Sequence, residues 1–235
     1  RLNRKSYIDQ EILYNSNYSK NINFHIFQNC YPGSLYIDIG ANIGTTALPV
    51  ALHNHEIEVH AFEPNPSIFE RLKINKIQNN CSNLFLHNMA VGFKKEKLPF
   101  YISQNKDTNS GLSSLSKNSD ILNSKSIEVD VIKVDDFFEG SKKNISLIKI
   151  DVQGFEWQVL QGARIIINNH RPIIIFEHDD NYLSEPTKIK NELEKFFTEN
   201  GYDVFEIDLF DLRRLNKVNW KQNLNSNLIA IKSHD

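Results

Sequence analysis

The chain has 235 residues, 40% of them hydrophobic, and carries a formal charge of −2 with a pI near 6.5. That length supports one substantial core in a single α/β domain rather than two catalytic domains, and the charge gives no general basis for a nucleic-acid partner, whose phosphates demand a basic face. Cys30 and Cys81, without C-x-x-C spacing, point away from a disulfide framework or structural zinc site, and no apolar run approaches the ~20 residues of a membrane span, so a cytoplasmic protein is expected.

Residues 1–34 read as an N-terminal helical cap. The first twenty are polar and poorly periodic, whereas Ile22, Phe24, Ile26, Phe27 and Tyr31 predict a short helix stopped by Pro32-Gly33. From residue 35 onward the pattern is that of one domain. A strand over 35–39 runs into the turn Gly40-Ala41-Asn42-Ile43-Gly44 and an apolar helix over 43–53, an arrangement that cradles a nucleotide-sized ligand. Gly40 and Gly44 would let the backbone come close to that ligand, and Asp38 would present a carboxylate over the sheet edge. A second strand, 57–62, delivers Glu63 twenty-five positions after Asp38, the length of one strand-helix-strand unit. The two acids would then stand side by side and could take both hydroxyls of a ribose.

A helix over 66–79 and a strand over 84–88 follow, closed by Asn88, Met89 and Ala90, where an adenine would rest: Asn88 could bond its amino group and Met89 pack on the ring. Leu98 to Ile102 and Ile127 to Val134 read as a β pair around an inserted polar loop, 103–126. The strand 146–150 leads through Asp151 into a helix over 155–169. A strand over 172–177, a helix over 187–200 stopping at Gly201, and strands over 202–208 and 226–232 complete the chain. Near-continuous apolar runs such as Pro172 to Phe176 predict strands covered on both faces, the mark of a parallel sheet with helices outside.

The dinucleotide fingerprint laid on Gly40 puts Asn at 42 and Thr at 45, so the glycine that admits a pyrophosphate is missing and NAD is disfavoured. No G-x-x-x-x-G-K-[ST] holds a triphosphate. S-adenosyl-L-methionine carries no phosphate and needs only this turn, and the acids at 38 and 63 suit its cationic sulfonium end and its ribose.

Four blocks in order sharpen the reading. Asp38 to Gly44 spell D-I-G-A-N-I-G, Ala61 to Pro66 spell A-F-E-P-N-P, and Ile148 to Ala163 contain I-D-V-Q-G-F-E, followed by Arg171 to Glu177. In this order the blocks resemble the FkbM family of S-adenosylmethionine-dependent methyltransferases. The resemblance implies a class I methyltransferase fold, Rossmann-like, with a seven-stranded mostly parallel sheet holding one antiparallel strand and helices on both faces. It also implies methyl transfer, most often to oxygen on a sugar or natural product. Asn109 to Leu115 resembles the family's N-x-G-x-x-S-L element and is read as a lid.

Asp151, at the carboxyl end of the fourth main strand, would face the methyl group and the acceptor, with capping of the next helix as its bland alternative. Glu156 resembles the family's second acid in that block and would bind acceptor hydroxyls or brace Asp151. Gln153 stands where relatives often carry Glu. Glu177, His178, Asp179 and Asp180 would converge on the same mouth, Glu177 and His178 being the available bases. Asp151, Glu177 and Asp179 could hold Mg²⁺, but nothing in their spacing is specific to a metal, so a metal-free site is favoured. The expected acceptor is sugar-containing or another small molecule, with a fused or associated glycosyltransferase as a candidate partner. Nitrogen methylation of a peptide side chain, a non-catalytic nucleotide-binding scaffold and a dehydrogenase stand as rivals, in that order.

Overall fold

The computed structural model describes residues 19–103, 113–115 and 124–233. The main body is one eight-stranded sheet between two layers of helices. Its strands are β1 (Leu35–Ile39), β2 (Glu58–Phe62), β3 (Leu84–His87), β8 (Ile145–Ile150), β9 (Ile173–Asp179), β10 (Tyr202–Ile207), β11 (Leu215–Lys217) and β12 (Asn225–Lys232). They lie in the order β11-β10-β12-β9-β8-β1-β2-β3. The pairs β3-β2-β1-β8-β9 are all parallel, while β12 runs antiparallel to both β9 and β10. The sequence predicts seven of these strands; the three-residue β11 adds an eighth at the edge, antiparallel to β10.

Every residue of β1 and of β8 is buried, as expected for central parallel strands covered on both faces. One face packs on α1 (Lys20–Asn29), α2 (Ala47–His53) and α3 (Pro66–Gln78) through Ile26, Ala47, Val50, Ala51 and Leu72. The other packs on α5 (Glu156–Gln161), α6 (Arg164–His170) and α7 (Pro186–Glu199) through Val159, Leu160, Ile166, Leu193, Phe196 and Phe197. A fully buried side chain of the size of Phe197 stabilises such a layer by about 1.5–3 kcal/mol. Local signals fix the helix starts and stops. Pro66 opens α3 behind Asn65, whose side chain accepts from Ser67 N at 3.1 Å, and Gly201, at φ 70°, follows α7.

A second sheet, ordered β4-β7-β5-β6, is built from β4 (Ala90–Val91), β5 (Glu96–Ser103), β6 (Ser113–Ser114) and β7 (Ser124–Ile132). β5 and β7 form the β pair expected around the polar loop. Of that loop, 104–112 and 116–123 lie outside the described residues, as do residues 1–18 of the expected cap. Asn109 to Leu112 of the expected lid therefore also fall outside. Ser113 and Ser114 pair with β5, and Leu115 packs against the Ala90, Phe100, Val129 and Val131 cluster.

Three boundaries differ from the sequence reading. The helix expected over 43–53 begins at Ala47, because the preceding residues form the turn. The helix expected over 155–169 is two, α5 and α6, parted at Gly162-Ala163. A Cβ on Gly162 would stand 2.0 Å from the Gly92 carbonyl oxygen, and the Gly162 carbonyl accepts from Asp135 N, at the start of α4 (Val134–Phe137). The strand expected to end at Glu177 continues to Asp179, paired with β12 down to Asn225.

Candidate active site

β2 and β3 lie to one side of β1, β8 and β9 to the other, so the strand order reverses between β1 and β8. In open α/β sheets ligands bind beyond the carboxyl ends of the strands at such a switch point. Two segments meet there, the turn after β1 and the loop after β8. Asp151 N donates to the Ile39 carbonyl at 3.0 Å, and a Cβ at Gly40 would lie 1.8 Å from the Asp151 carbonyl oxygen. Gly40 and Gly44 have φ of 80° and 93°, and Asn42 has 49°. The two glycines answer to the fold itself, Gly40 to the Asp151 backbone and Gly44 to Leu48 and Leu72, rather than to ligand approach alone as the sequence suggests.

Glu63 follows β2 and ties the turn to its neighbour. Its Oε2 accepts from Asn42 N at 3.0 Å and its Oε1 from Asn65 N at 2.8 Å. Burial pushes its carboxyl up to about 7, against the pull of the Asn65 and Asn42 amides. Asn88, exposed at the end of β3, donates to the Glu63 carbonyl at 2.8 Å and so belongs to this rim, while Met89 packs against the core.

Asp38 is placed differently from the sequence expectation. Fully buried within β1, it does not reach over the sheet edge; its Oδ2 accepts from Thr46 Oγ1 at 2.5 Å and its Oδ1 lies 3.4 Å from Lys149 Nζ. It supports the turn from beneath, which leaves Glu63 as the acid beside it. Lys149, directly opposite Asp38 in the register of β1 and β8, also reaches Asp151 Oδ2 at 3.2 Å.

The Asp151 side chain is 36% exposed at the mouth. Burial of the group opposes its ionisation, but Lys149, the Glu177 carboxyl and the Gln153 amide outweigh that and hold it below the usual carboxylate range. Glu177 is pushed the other way, up to about 9, by burial and by the negative charges of Asp151 and Glu156. At neutral pH the pair is thus one carboxylate and one carboxylic acid, sharing a hydrogen bond. Gln153 Nε2 donates to Glu177 Oε2 at 2.8 Å.

Glu156 is buried beneath the loop. Its Oε1 accepts from Val152 N at 3.2 Å and Gly154 N at 3.1 Å, and burial raises its carboxyl to about 7. Of the two roles expected for it, this geometry suits bracing the Asp151 segment.

His178 and Asp180 do not join Glu177. Because β9 stays extended through Asp179, successive side chains alternate between its faces, and His178 points to the α7 side. There His178 Nε2 donates to Asp180 Oδ1 at 2.9 Å, Lys190 Nζ to Asp180 Oδ2 at 2.7 Å, and Leu224 N to the same oxygen at 3.2 Å. Burial lowers the His178 pKa against the pull of Asp180. The expected convergence of His178 and Asp180 on the mouth is therefore overturned, and His178 is out of reach as its base. Asp179 instead caps the next turn, accepting from Asn181 N at 2.8 Å.

Among the described residues no group of three or more His, Cys, Asp or Glu side chains is disposed to hold a metal ion, and no helix is long and apolar enough to cross a membrane. Sequence reasoning assigns no role to Lys149 or Thr46. A lysine inside the apolar run Ile148-Lys149-Ile150 is nonetheless a readable signal, since lysine enters a core only with partners.

The profile of the Methyltransferase FkbM domain matches residues 38–204, well over half of the chain. A protein described as Methyltransferase 1, from Beauveria bassiana (strain ARSEF 2860), is 28% identical over 144 residues, covering 55% of this chain and 58% of its own. Among solved structures, the methyltransferase FkbM from Methylobacillus flagellatus KT aligns at a TM-score of 0.55 and 16% identity over 98% of this chain and 56% of that one. Precorrin-6y C5,15-methyltransferase from Geobacter metallireducens GS-15 aligns at 0.52 and 10% identity, over 99% and 94%. A Streptococcus mutans methyltransferase in complex with SAH aligns at 0.50 and 11%, over 90% and 94%. At such identities the structures establish the fold alone. The chain spans a little over half the length of Methyltransferase 1 and of the Methylobacillus protein.

Proposed function

Because the chain belongs to the FkbM methyltransferase family, we propose that it transfers the methyl group of S-adenosyl-L-methionine to a hydroxyl of a sugar in a glycan, glycolipid or natural product. The observation that carries this reading is the junction of the Gly40 turn with the Asp151 segment at the switch point, which brings a donor cradle and an exposed carboxylate to one crevice.

The residues fit that donor by their chemistry. The crevice is fronted by carboxyl groups, Glu63, Asp151 and Glu177, which suits a sulfonium cation better than a pyrophosphate. Each oxygen of Glu63 accepts one backbone amide and retains a second lone pair for a ribose hydroxyl. Asn42, Gly40 and Gly44 shape the turn around the donor, Asp38 supports it from below, and Asn88 and Met89 bound the adenine side. When bound, the donor would supply an electrophilic methyl carbon, its carbon–sulfur bond breaking with the electron pair left on a neutral thioether. The chain's task is then alignment, and a large part of the barrier can be removed by holding the attacking oxygen in line at about 3 Å. The Asp151 carboxylate accepts the hydrogen bond of the acceptor hydroxyl, orients its lone pair and takes its proton as the bond to carbon forms. The Glu177 carboxylic acid, hydrogen-bonded to Asp151, keeps the pair at a single negative charge before transfer. Glu156 holds the loop that carries Asp151. No step calls for Mg²⁺. Peptide-amine methylation is the alternative for the same mouth, whose exposed carboxylate would also attract a cationic side chain. A glycosyltransferase partner and a cytoplasmic location go with the sugar reading.

Calorimetric titration with S-adenosylhomocysteine, with NAD as control, tests the donor site: micromolar binding of the former alone is expected. Binding of neither by folded protein would favour the scaffold reading. Screening sugar and peptide acceptors for methyl transfer then separates oxygen from nitrogen methylation.

A further inference from the structure

We infer that Lys149 is a positioning residue that joins the donor turn to Asp151, its buried ammonium fixing both the Asp38 support of the turn and the orientation of the Asp151 carboxylate at the mouth. This rests on the donor reading of the crevice.

A lysine in the middle of a central strand is expensive. Desolvating an ammonium costs several kcal/mol and is offset only by close, well-placed partners, so a leucine there would pack as well at lower cost. Lys149 is 5% exposed and has acids on two sides: it donates to Asp151 Oδ2 at 3.2 Å, and Asp38 Oδ1 lies 3.4 Å away as an ion pair without a hydrogen bond. Asp38 is in turn held by Thr46, the residue immediately before α2. The result is a continuous polar chain, Thr46–Asp38–Lys149–Asp151–Glu177, crossing β1, β8 and β9 on one face of the sheet. Its first member belongs to the turn that would close on a donor, and Asp151, towards its far end, opens to the acceptor. Movement of Thr46 changes how strongly Asp38 draws on the ammonium, and hence how strongly the ammonium holds Asp151. The charged and titratable groups facing Asp151 are Lys149 from its own strand, Asp38 from β1, Glu63 from the end of β2, Glu156 from α5 and Glu177 from β9. Burial raises its proton affinity, and Lys149, with the Glu177 carboxyl, opposes it.

The test follows the Asp151 carboxyl by ¹³C NMR titration, assigned with Asp151→Asn, with and without S-adenosylhomocysteine. Lys149→Gln should raise its midpoint by about one to three on the pH scale, Lys149→Arg should keep it low, and Thr46→Val should raise it by a smaller amount. S-adenosylhomocysteine should move the signal in wild type and Lys149→Arg and leave it still in Lys149→Gln. An unchanged midpoint in folded Lys149→Gln, or an equal response to the ligand in its presence and absence, would overturn the assignment. Should Lys149→Gln not fold, the midpoints of Lys149→Arg and Thr46→Val decide: a Thr46→Val midpoint equal to wild type would count against the inference. Failure of S-adenosylhomocysteine to bind wild type would remove the donor reading, while the ligand-free titrations would still decide whether Lys149 governs Asp151.

Discussion

Two buried lysines, one on each face of the sheet, make instructive counterparts. Lys190 donates to Asp180 and to the Gln222 carbonyl, both at 2.7 Å, and Asp180 also takes His178 and Leu224 N. His178, Asp180, Lys190 and Leu224 are all buried, and the cluster stitches the end of β9 to α7 and to the segment before β12. Lys149 is as deeply buried but less tightly paired, with its two acids at 3.4 and 3.2 Å, and its cluster runs out to a part-exposed carboxylate beside the switch point. Charge and burial are alike in the two. What separates a staple from a site is whether the last acid faces protein or the space beyond the strand ends.

Breaking the staple should give the largest effect. Lys190→Ala leaves Asp180 buried and uncompensated and should cost about 3–5 kcal/mol in a urea titration, with S-adenosylhomocysteine affinity of the folded fraction unchanged. A loss below about 1 kcal/mol would mean that the enclosed cluster is held by packing rather than by its charges. On the other face, Asp151→Asn should lower methyl transfer to a screened acceptor by about 100-fold while leaving stability and donor affinity near wild type. An equal loss of donor affinity would move Asp151 from the acceptor side to the donor side. Glu63→Ala should weaken S-adenosylhomocysteine about tenfold, or 1.4 kcal/mol, as read by calorimetry.

A further effect is one of pH. Glu156 titrates at about 7 in the folded chain against an ordinary value of 4.5, so the folded state binds more protons between these limits and stability falls as pH rises through them. Glu156→Gln keeps an oxygen to accept from Val152 N and Gly154 N but cannot ionise. Its melting temperature should match wild type most closely near pH 5 and exceed it at pH 8. A constant difference across that range would place the ionisation elsewhere.

Much of this architecture is legible in the amino-acid sequence. Apolar runs of the right length mark the central strands, and Asp38, Glu63 and Asp151 fall near strand ends because a small-residue turn or a proline follows each strand. The misread residues share a cause. Apolar patterning ends the strand at 177 and so groups His178 with Glu177; two more extended residues send neighbours to opposite faces, and a boundary error of that size reverses the chemistry. Asp38 reads as an open ligand because its partners, Thr46 eight positions on and Lys149 more than a hundred, are visible only through the parallel register of β1 and β8. The break between α5 and α6 is set by a contact with Gly92 from a distant segment, which no helical periodicity records.

The missing side chain at position 40 carries a consequence for redesign. With the Asp151 carbonyl 1.8 Å from where a Cβ would stand, the donor turn and the acceptor segment share a wall one backbone thick. The 208–214 connection hangs from another strand end, whereas 179–185 holds Asp180 of the staple and sets Tyr182 against Gly154. Residues 151–155 cannot be exchanged without their mate, so a graft meant to alter the acceptor must transplant 40–46 along with them.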